Sequence, residues 1–218
     1  KGSTLAGVQN FSPAIARDFA AQAAVSVILS VVGILIYVWV RFGSMRYSLA
    51  AVVADVHDAL IAVGLVAVAE VIYELAPGFA ATIGLQPFKI DLAMVAAILT
   101  VLGYSLNDTI VVMDRIRENR GKLAYASREV VNLSLNQTFS RTIITSGTTL
   151  LSCLILYIFA GESIRGFAYA IFVGVLAGTY SSIGISAPIV WSRRPPPGKP
   201  MYREGESKAA DSAALATT

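Results

Sequence analysis

The chain has 218 residues, 56% of them apolar and 14% charged, with a net charge of +3. Soluble domains run at about 45–50% apolar and about 25% charged, so a soluble globular domain, a disordered protein and a collagen-like chain are all excluded. A single cysteine (Cys153) and a single histidine (His57) exclude an internal disulfide framework and a Cys/His zinc cluster.

Five apolar runs are long enough to cross a bilayer, whose core of about 30 Å needs roughly 20 helical residues. The first, 19–40, carries no charge. The second, 48–73, carries Asp55, His57, Asp58 and Glu70. The third, 92–113, is interrupted only by Asn107 and Asp108, and the fourth, 138–160, has Arg141 near its start. The fifth, 166–191, is uncharged. None alternates as a membrane β-strand would, and helices satisfy their own backbone in lipid. The pattern predicts an all-α, polytopic membrane helix bundle with five transmembrane helices spanning residues 19–192. Residues 1–18 read as the end of an exported segment. Residues 114–137 read as a polar connection with a short amphipathic helix. Residues 193–218, with Pro195, Pro196 and Pro197 near their start, read as a disordered cytoplasmic tail. The chain starts at Lys1 with no cleavable signal pattern, which is expected of a fragment or a processed product.

Lysine and arginine set the orientation. Arg41 and Arg46 follow the first span; Arg115, Arg117, Arg120, Lys122 and Arg128 follow the third; Arg193, Arg194, Lys199, Arg203 and Lys208 follow the fifth. The alternate segments hold only Lys1, Arg17, Lys89 and Arg165. Positive charge collects on the cytoplasmic side, so the N-terminus is expected outside and the C-terminus inside. The basic excess is thus a topology signal, and no nucleic-acid partner is expected.

Ionisable groups inside a span cost roughly 2.5–3.5 kcal/mol each and need a partner, water or a change of protonation. Asp108 lies six residues before Asp114, about 9 Å inside the basic edge. Arg141 enters the next, antiparallel span from the same side, which makes an Asp108–Arg141 ion pair plausible. In the sharper reading Asp108 binds and releases a proton, with Arg141 favouring its charged form and desolvation its neutral form. In the plainer readings the pair fixes helix register, or Asp108 sits in an interfacial water pocket. Asp55 and Asp58 share a helix face, roughly 10–15 Å deep by the same rise. His57 points about 100° away from Asp58, so the two are not expected to reach one site; it reads equally as a proton relay or a structural donor. Asn107 and Thr145 are further candidates beside the pair.

Gly166, Ala170, Gly174 and Gly178 recur every four residues and continue into Ser182 and Ser186. They make one small-residue face, for close helix packing or for sliding. The fourth span carries a run of hydroxyls that could bridge helices or line a water chain to Arg141. Cys153 reads as a small apolar filler. No nucleophile triad, phosphate loop or paired-carboxylate hydrolase pattern is present, so the chain is not expected to be an enzyme, and neither a metal nor a cofactor is expected. Work would draw on an ion gradient, where one charge moving through 100 mV supplies about 2.3 kcal/mol.

ILTVLGYSLNDTIVVMDRIREN (98–119) resembles the signature of SecF, the smaller partner in the SecD/SecF protein-export complex, and VNLSLNQTFSRTIITSGTTLL (131–151) resembles the span that follows it. Arg41-Phe42 and His57-Asp58 agree, and the resemblance covers about residues 20–190. Met113 and Phe139 stand where Phe and Leu are expected. The resemblance implies a member of the resistance–nodulation–division superfamily in the bacterial inner membrane, driven by the proton-motive force. It implies partnership with SecD (separate or fused), the SecYEG channel, the SecA motor, exported preproteins and YajC. The family's intramembrane Asp and Arg map onto Asp108 and Arg141. A lipid or small-solute transporter of the same superfamily and a passive export scaffold are the competing readings.

Overall fold

The computed structural model describes residues 13–88, 91–121, 123 and 125–191; of residues 13–20 and of Ser163 it describes the backbone only. The readings placed on residues 1–12 and on the tail from residue 192 lie outside the described residues. Helix α1 spans Pro13–Phe42, α2 Met45–Leu75, α3 Pro77–Ile83, α4 Leu92–Arg120, α5 Arg128–Phe159 and α6 Glu162–Ser181. The last continues through a π-turn, Ser182–Ser186, into α7, Ala187–Val190. Among the described residues there is no strand. Five helical stretches are long and apolar enough to cross a membrane: Ala21–Phe42, Met45–Leu75, Leu92–Arg120, Arg128–Phe159 and Ile164–Val190. The protein is an all-α polytopic bundle.

The third and fourth helices run further than their apolar runs. The helical ladder continues through the polar residues to Arg120 and resumes at Arg128, which leaves a connection of only a few residues instead of 114–137. Local chemistry sets these ends. Arg117 and Arg120 occupy the last turn of α4, where cations favour the helix dipole, and Gly121 then takes a positive φ of 50°. Ser127 caps α5 by accepting from the Val130 N–H. The sharp turn between α1 and α2 is made at Gly43, whose φ is 63°. Short α3, in the second connection, is a feature the apolar pattern did not signal.

Helix α6 is the hub. It packs against α2, α4 and α5, while α1 rests mainly on α2. In its most apolar stretch 56% of α6 is buried, against 11% of α1. The outward faces of α1 and α5 are strongly apolar, with Ile28, Leu29, Val40, Ile144, Leu151 and Phe159 all exposed, as lipid contact requires. Inside, two apolar clusters lie at the two ends of the bundle. One gathers Val38, Tyr47, Ala51, Val112, Ile116 and Val190 at the basic end. The other gathers Val66, Ala69, Phe88, Ala97, Val101 and Val175 at the opposite end. A buried polar layer of Asp55, Asp58, Ser105, Thr109, Ser181 and Ser182 separates them.

Polar ties close the basic end. Arg46 donates from Nε and Nη2 to the carbonyls of Ile189 (2.9 Å) and Trp191 (2.6 Å), satisfying acceptors that the end of α7 leaves open. Arg117 does the same for the Arg41 carbonyl at 3.0 Å, and the Arg41 guanidinium meets Asp114 at 3.0 Å.

The small-residue face of α6 explains how close α4 lies. A Cβ on Gly174 would run into the Val101 side chain, and one on Gly178 would sit 3.0 Å from Ser105 Cβ. Ala170 is buried on the same face, and a Cβ on Gly166 would sit 3.0 Å from Phe88. By contrast, nothing lies within 4 Å of a Cβ on Gly33 in α1. Gly174→Val is therefore expected to lower stability by at least about 1–3 kcal/mol through overpacking. Gly33→Ala should be neutral or stabilising, because alanine is the better helix former. Thermal unfolding of both variants in detergent checks the contrast.

Candidate functional site

The polar layer resolves into two carboxylate clusters that share α4. In the first, Asp108 is 4% exposed, and its Oδ2 accepts a hydrogen bond from Ser146 Oγ of α5 at 3.1 Å. Ser146 shares a buried face with Thr138 and Thr142, the regular step of four that points one side of α5 at its neighbours. Arg141 precedes Ser146 by five residues, which turns it about 140° around the helix. Its side chain is exposed on the outside of α5, without an ion pair or hydrogen bond to Asp108. Depth alone brings these two residues level; helical phase separates them. Thr145 is half-buried, and its hydroxyl lies within reach of its own helix, 3.0 Å from the Arg141 carbonyl and 3.1 Å from that of Thr142. Asn107 is exposed.

The hydroxyls of α5 do less bridging than their number suggests. Thr138, Thr145, Thr148 and Ser152 bond back to carbonyls three or four residues earlier, a common solution for Ser and Thr in helices surrounded by lipid. Three reach α4: Ser146 to Asp108, Ser134, which accepts from Asn119 Nδ2 at 2.9 Å, and Thr149, whose Oγ1 lies 3.1 Å from the Tyr104 hydroxyl.

The second cluster lies between α2, α4 and α6. Asp58 is fully buried, and its Oδ2 accepts from Ser105 Oγ of α4 and from Ser181 Oγ of α6, the latter at 2.6 Å. Its Oδ1 lies 3.0 Å from Nδ1 of His57. The 100° between successive side chains is bridged because the short aspartate and the half-buried imidazole turn toward each other, so His57 and Asp58 do form one unit. The other side of the imidazole faces Tyr180, with ring centroids 6.5 Å apart. Asp55, one turn away on the same face of α2, is also fully buried, yet neither of its carboxyl oxygens has a hydrogen-bond partner.

Ser105 and Ser181 were not singled out by sequence reasoning. Ser105 has a faint signal, standing three residues before Asp108 and therefore level with an intramembrane charge. Ser181 has none: the four-residue step of the small face selects Ser182, and its neighbour becomes a ligand of Asp58 at the very point where the α-helix gives way to the π-turn.

Comparison with known proteins follows from this geometry. Residues 4–194 match the family model described as protein export membrane protein SecD/SecF, C-terminal. The chain belongs to the SecD/SecF family. It is 48% identical over 181 residues to a protein of Rhodothermus marinus named protein translocase subunit SecF, covering 82% of this chain and 54% of that one. A protein of the same name from Koribacter versatilis is 44% identical over 190 residues, covering 87% of this chain and 43% of that one. The chain thus spans about half the length of the curated relatives it matches. A crystal structure of SecDF from Thermus thermophilus, titled a translocon-associated membrane protein, superimposes with a TM-score of 0.67 at 40% identity, over 82% of this chain and 22% of that one. A SecDF structure in a super-membrane-facing form gives 0.63 at 36% identity, over 95% and 23%. The SecD/SecF signature stretches 98–119 and 131–151 lie on α4 and α5, the helices that bring Asp108 and Ser146 together.

Leaving a buried acceptor without one of its donors costs about 1–3 kcal/mol. Ser181→Ala should destabilise this SecD/SecF membrane domain by that amount, because it removes a donor from Asp58. Thr148→Val, which deletes only an exposed bond to its own helix, should cost less than about 0.5 kcal/mol. Denaturant or thermal unfolding in detergent compares the two.

Proposed function

We propose that the chain is the membrane part of a SecF-type translocase subunit of the bacterial inner membrane, and that it draws on the proton-motive force to assist Sec-dependent export. In this reading it works with SecD, the SecYEG channel, SecA and the exported preproteins, and a proton gradient takes the place of any bound cofactor. The basic ends of the helices lie in the cytoplasm and the α2–α4 connection lies outside.

The observation that carries the reading is the environment of Asp108. Its carboxyl is buried in the middle of the bundle with one neutral hydroxyl as its hydrogen-bond donor and no cation in contact. Such a group is stable as a neutral acid and requires a new partner once ionised. Arg141, on the neighbouring face of the antiparallel helix, is that partner. A roll of α5 would bring the guanidinium toward Asp108, and protonation would release it. The arrangement described here, with Asp108 on Ser146 and Arg141 turned outward, corresponds to the protonated half of the cycle. Arg141 and Asn107 also leave polar groups on faces that lipid alone would not satisfy, which supports a second helical bundle, that of SecD, packing there.

Proton flux into vesicles carrying the complete SecD/SecF complex tests the reading. Asp108→Asn should abolish flux while the protein still inserts. Unchanged flux would remove Asp108 from the proton path and leave an export scaffold. Arg141→Lys, which keeps the charge but loses the planar fork, should reduce flux partially; normal proton dependence in Arg141→Met would reject the pairing.

A further inference from the structure

We propose that Asp55 and Asp58 form a second proton-binding site in the bundle, a carboxyl pair holding one proton, with Asp58 as the charged member and Asp55 as the neutral acid. The proposal rests on the geometry between α2, α4 and α6 and does not depend on the role given to Asp108.

The two carboxyls share one helix face and are both fully buried, but their surroundings differ. Asp58 faces every donor the pocket offers: the hydroxyls of Ser105 and Ser181 at Oδ2, and, with its proton on Nδ1, the His57 ring at Oδ1. A carboxylate is acceptor-only and is stabilised by such an arrangement. Neither oxygen of Asp55 has a hydrogen-bond partner. The Ser105 hydroxyl stands nearby, but a hydroxyl has one proton to give, and those of Ser105 and Ser181 go to Asp58. Ionised, Asp55 would be a second buried negative charge beside Asp58 with no cation in contact to offset it. Protonated, it becomes a donor to the carboxylate and hydroxyl oxygens around it. Thr109 Oγ1 is a further buried oxygen without a partner, one turn from Ser105 on the same face of α4.

Among the described residues, no basic side chain offers an alternative. Helix α1 carries no charge between residues 21 and 40, and neither does the π-turn or α7. On α6 the one basic residue is Arg165, sixteen residues from Ser181 and at the opposite end of the helix. On α2 the titratable groups at this level are Asp58 and His57; on α4 they are Tyr104 and Asp108, which turn to Thr149 and Ser146 of α5, and on α6 Tyr180, which faces His57. The arginines of the basic end are engaged elsewhere, Arg46 with the end of α7 and Arg41 with Asp114. The π-turn begins directly after Ser181. A π-turn is an adjustable segment often found at functional sites, so rotation there is the natural way to move a donor from Asp58 to Asp55 and let the proton leave.

Infrared difference spectroscopy on the full-length SecD/SecF complex in liposomes tests the assignment through the carbonyl stretch of protonated carboxyls, which shifts in heavy water. Near neutral pH, Asp108→Asn should retain such a band, and adding Asp55→Asn to that variant should remove intensity from it. A band in Asp108→Asn that the added Asp55→Asn leaves untouched, or one lost completely in Asp108→Asn alone, overturns the proposal. So does a band that appears only when sodium is withdrawn, which would make the pair a sodium site instead. If Asp55→Asn fails to accumulate, Asp55→Glu in the Asp108→Asn complex carrying carbon-13 aspartate replaces it. Loss of label-sensitive intensity relative to Asp108→Asn alone then supports the second site, and unchanged intensity overturns it.

Discussion

Asp58 joins three helices at one atom. Its Oδ2 takes a hydrogen bond from α4 and another from α6 while the residue itself belongs to α2. In a membrane there is no hydrophobic drive to bring helices together, since lipid is as apolar as their side chains, and packing and polar contacts must do it. A buried carboxylate with three neighbours meets that need and imposes a strict condition. Each neighbour must stay where it is, because a buried acceptor that lost its donors would carry the full cost of desolvation. The two apolar clusters above and below can repack in many ways; this contact permits few.

The close approach of α6 is what makes the contact possible. Glycine at 174 and 178 lets the backbone of α6 lie against Val101 and Ser105, and Ser181 follows one turn later within reach of Asp58. The small face and the polar layer are consecutive parts of one interface. The first sets the helix distance that the second requires. The arginine bonds at the basic end then hold the far end of the same helix, so that α6 and its continuation are fixed at top and middle.

Much of this was legible from residue order. Hydropathy and length suffice to find five spans, because lipid demands continuous apolar stretches and self-satisfied backbone. The small face was legible because glycine every four residues has few other uses in a membrane helix. What sequence left open was rotation about the helix axes. Arg141 and Asp108 share a depth, which counting residues supplies, but phase puts one outward and the other inward. His57 and Asp58 differ in phase, yet two short side chains close the gap. Ser181 became visible only through the π-turn, a local change of helical period that no pattern of apolar residues records. The extended ends of α4 and α5 escaped for a related reason, since hydropathy marks where lipid ends and not where a helix does.

Helix α4 carries both carboxylate clusters, and it carries them on different sides. Ser105 reaches Asp58 in α2, and Asp108, three residues later, reaches Ser146 in α5. Three residues on a helix are 60° short of a full turn, so the two contacts pull on α4 from diverging directions. Both contacts hang on one rigid helix, so a roll of α4 that disturbs one is carried to the other without any residue touching both.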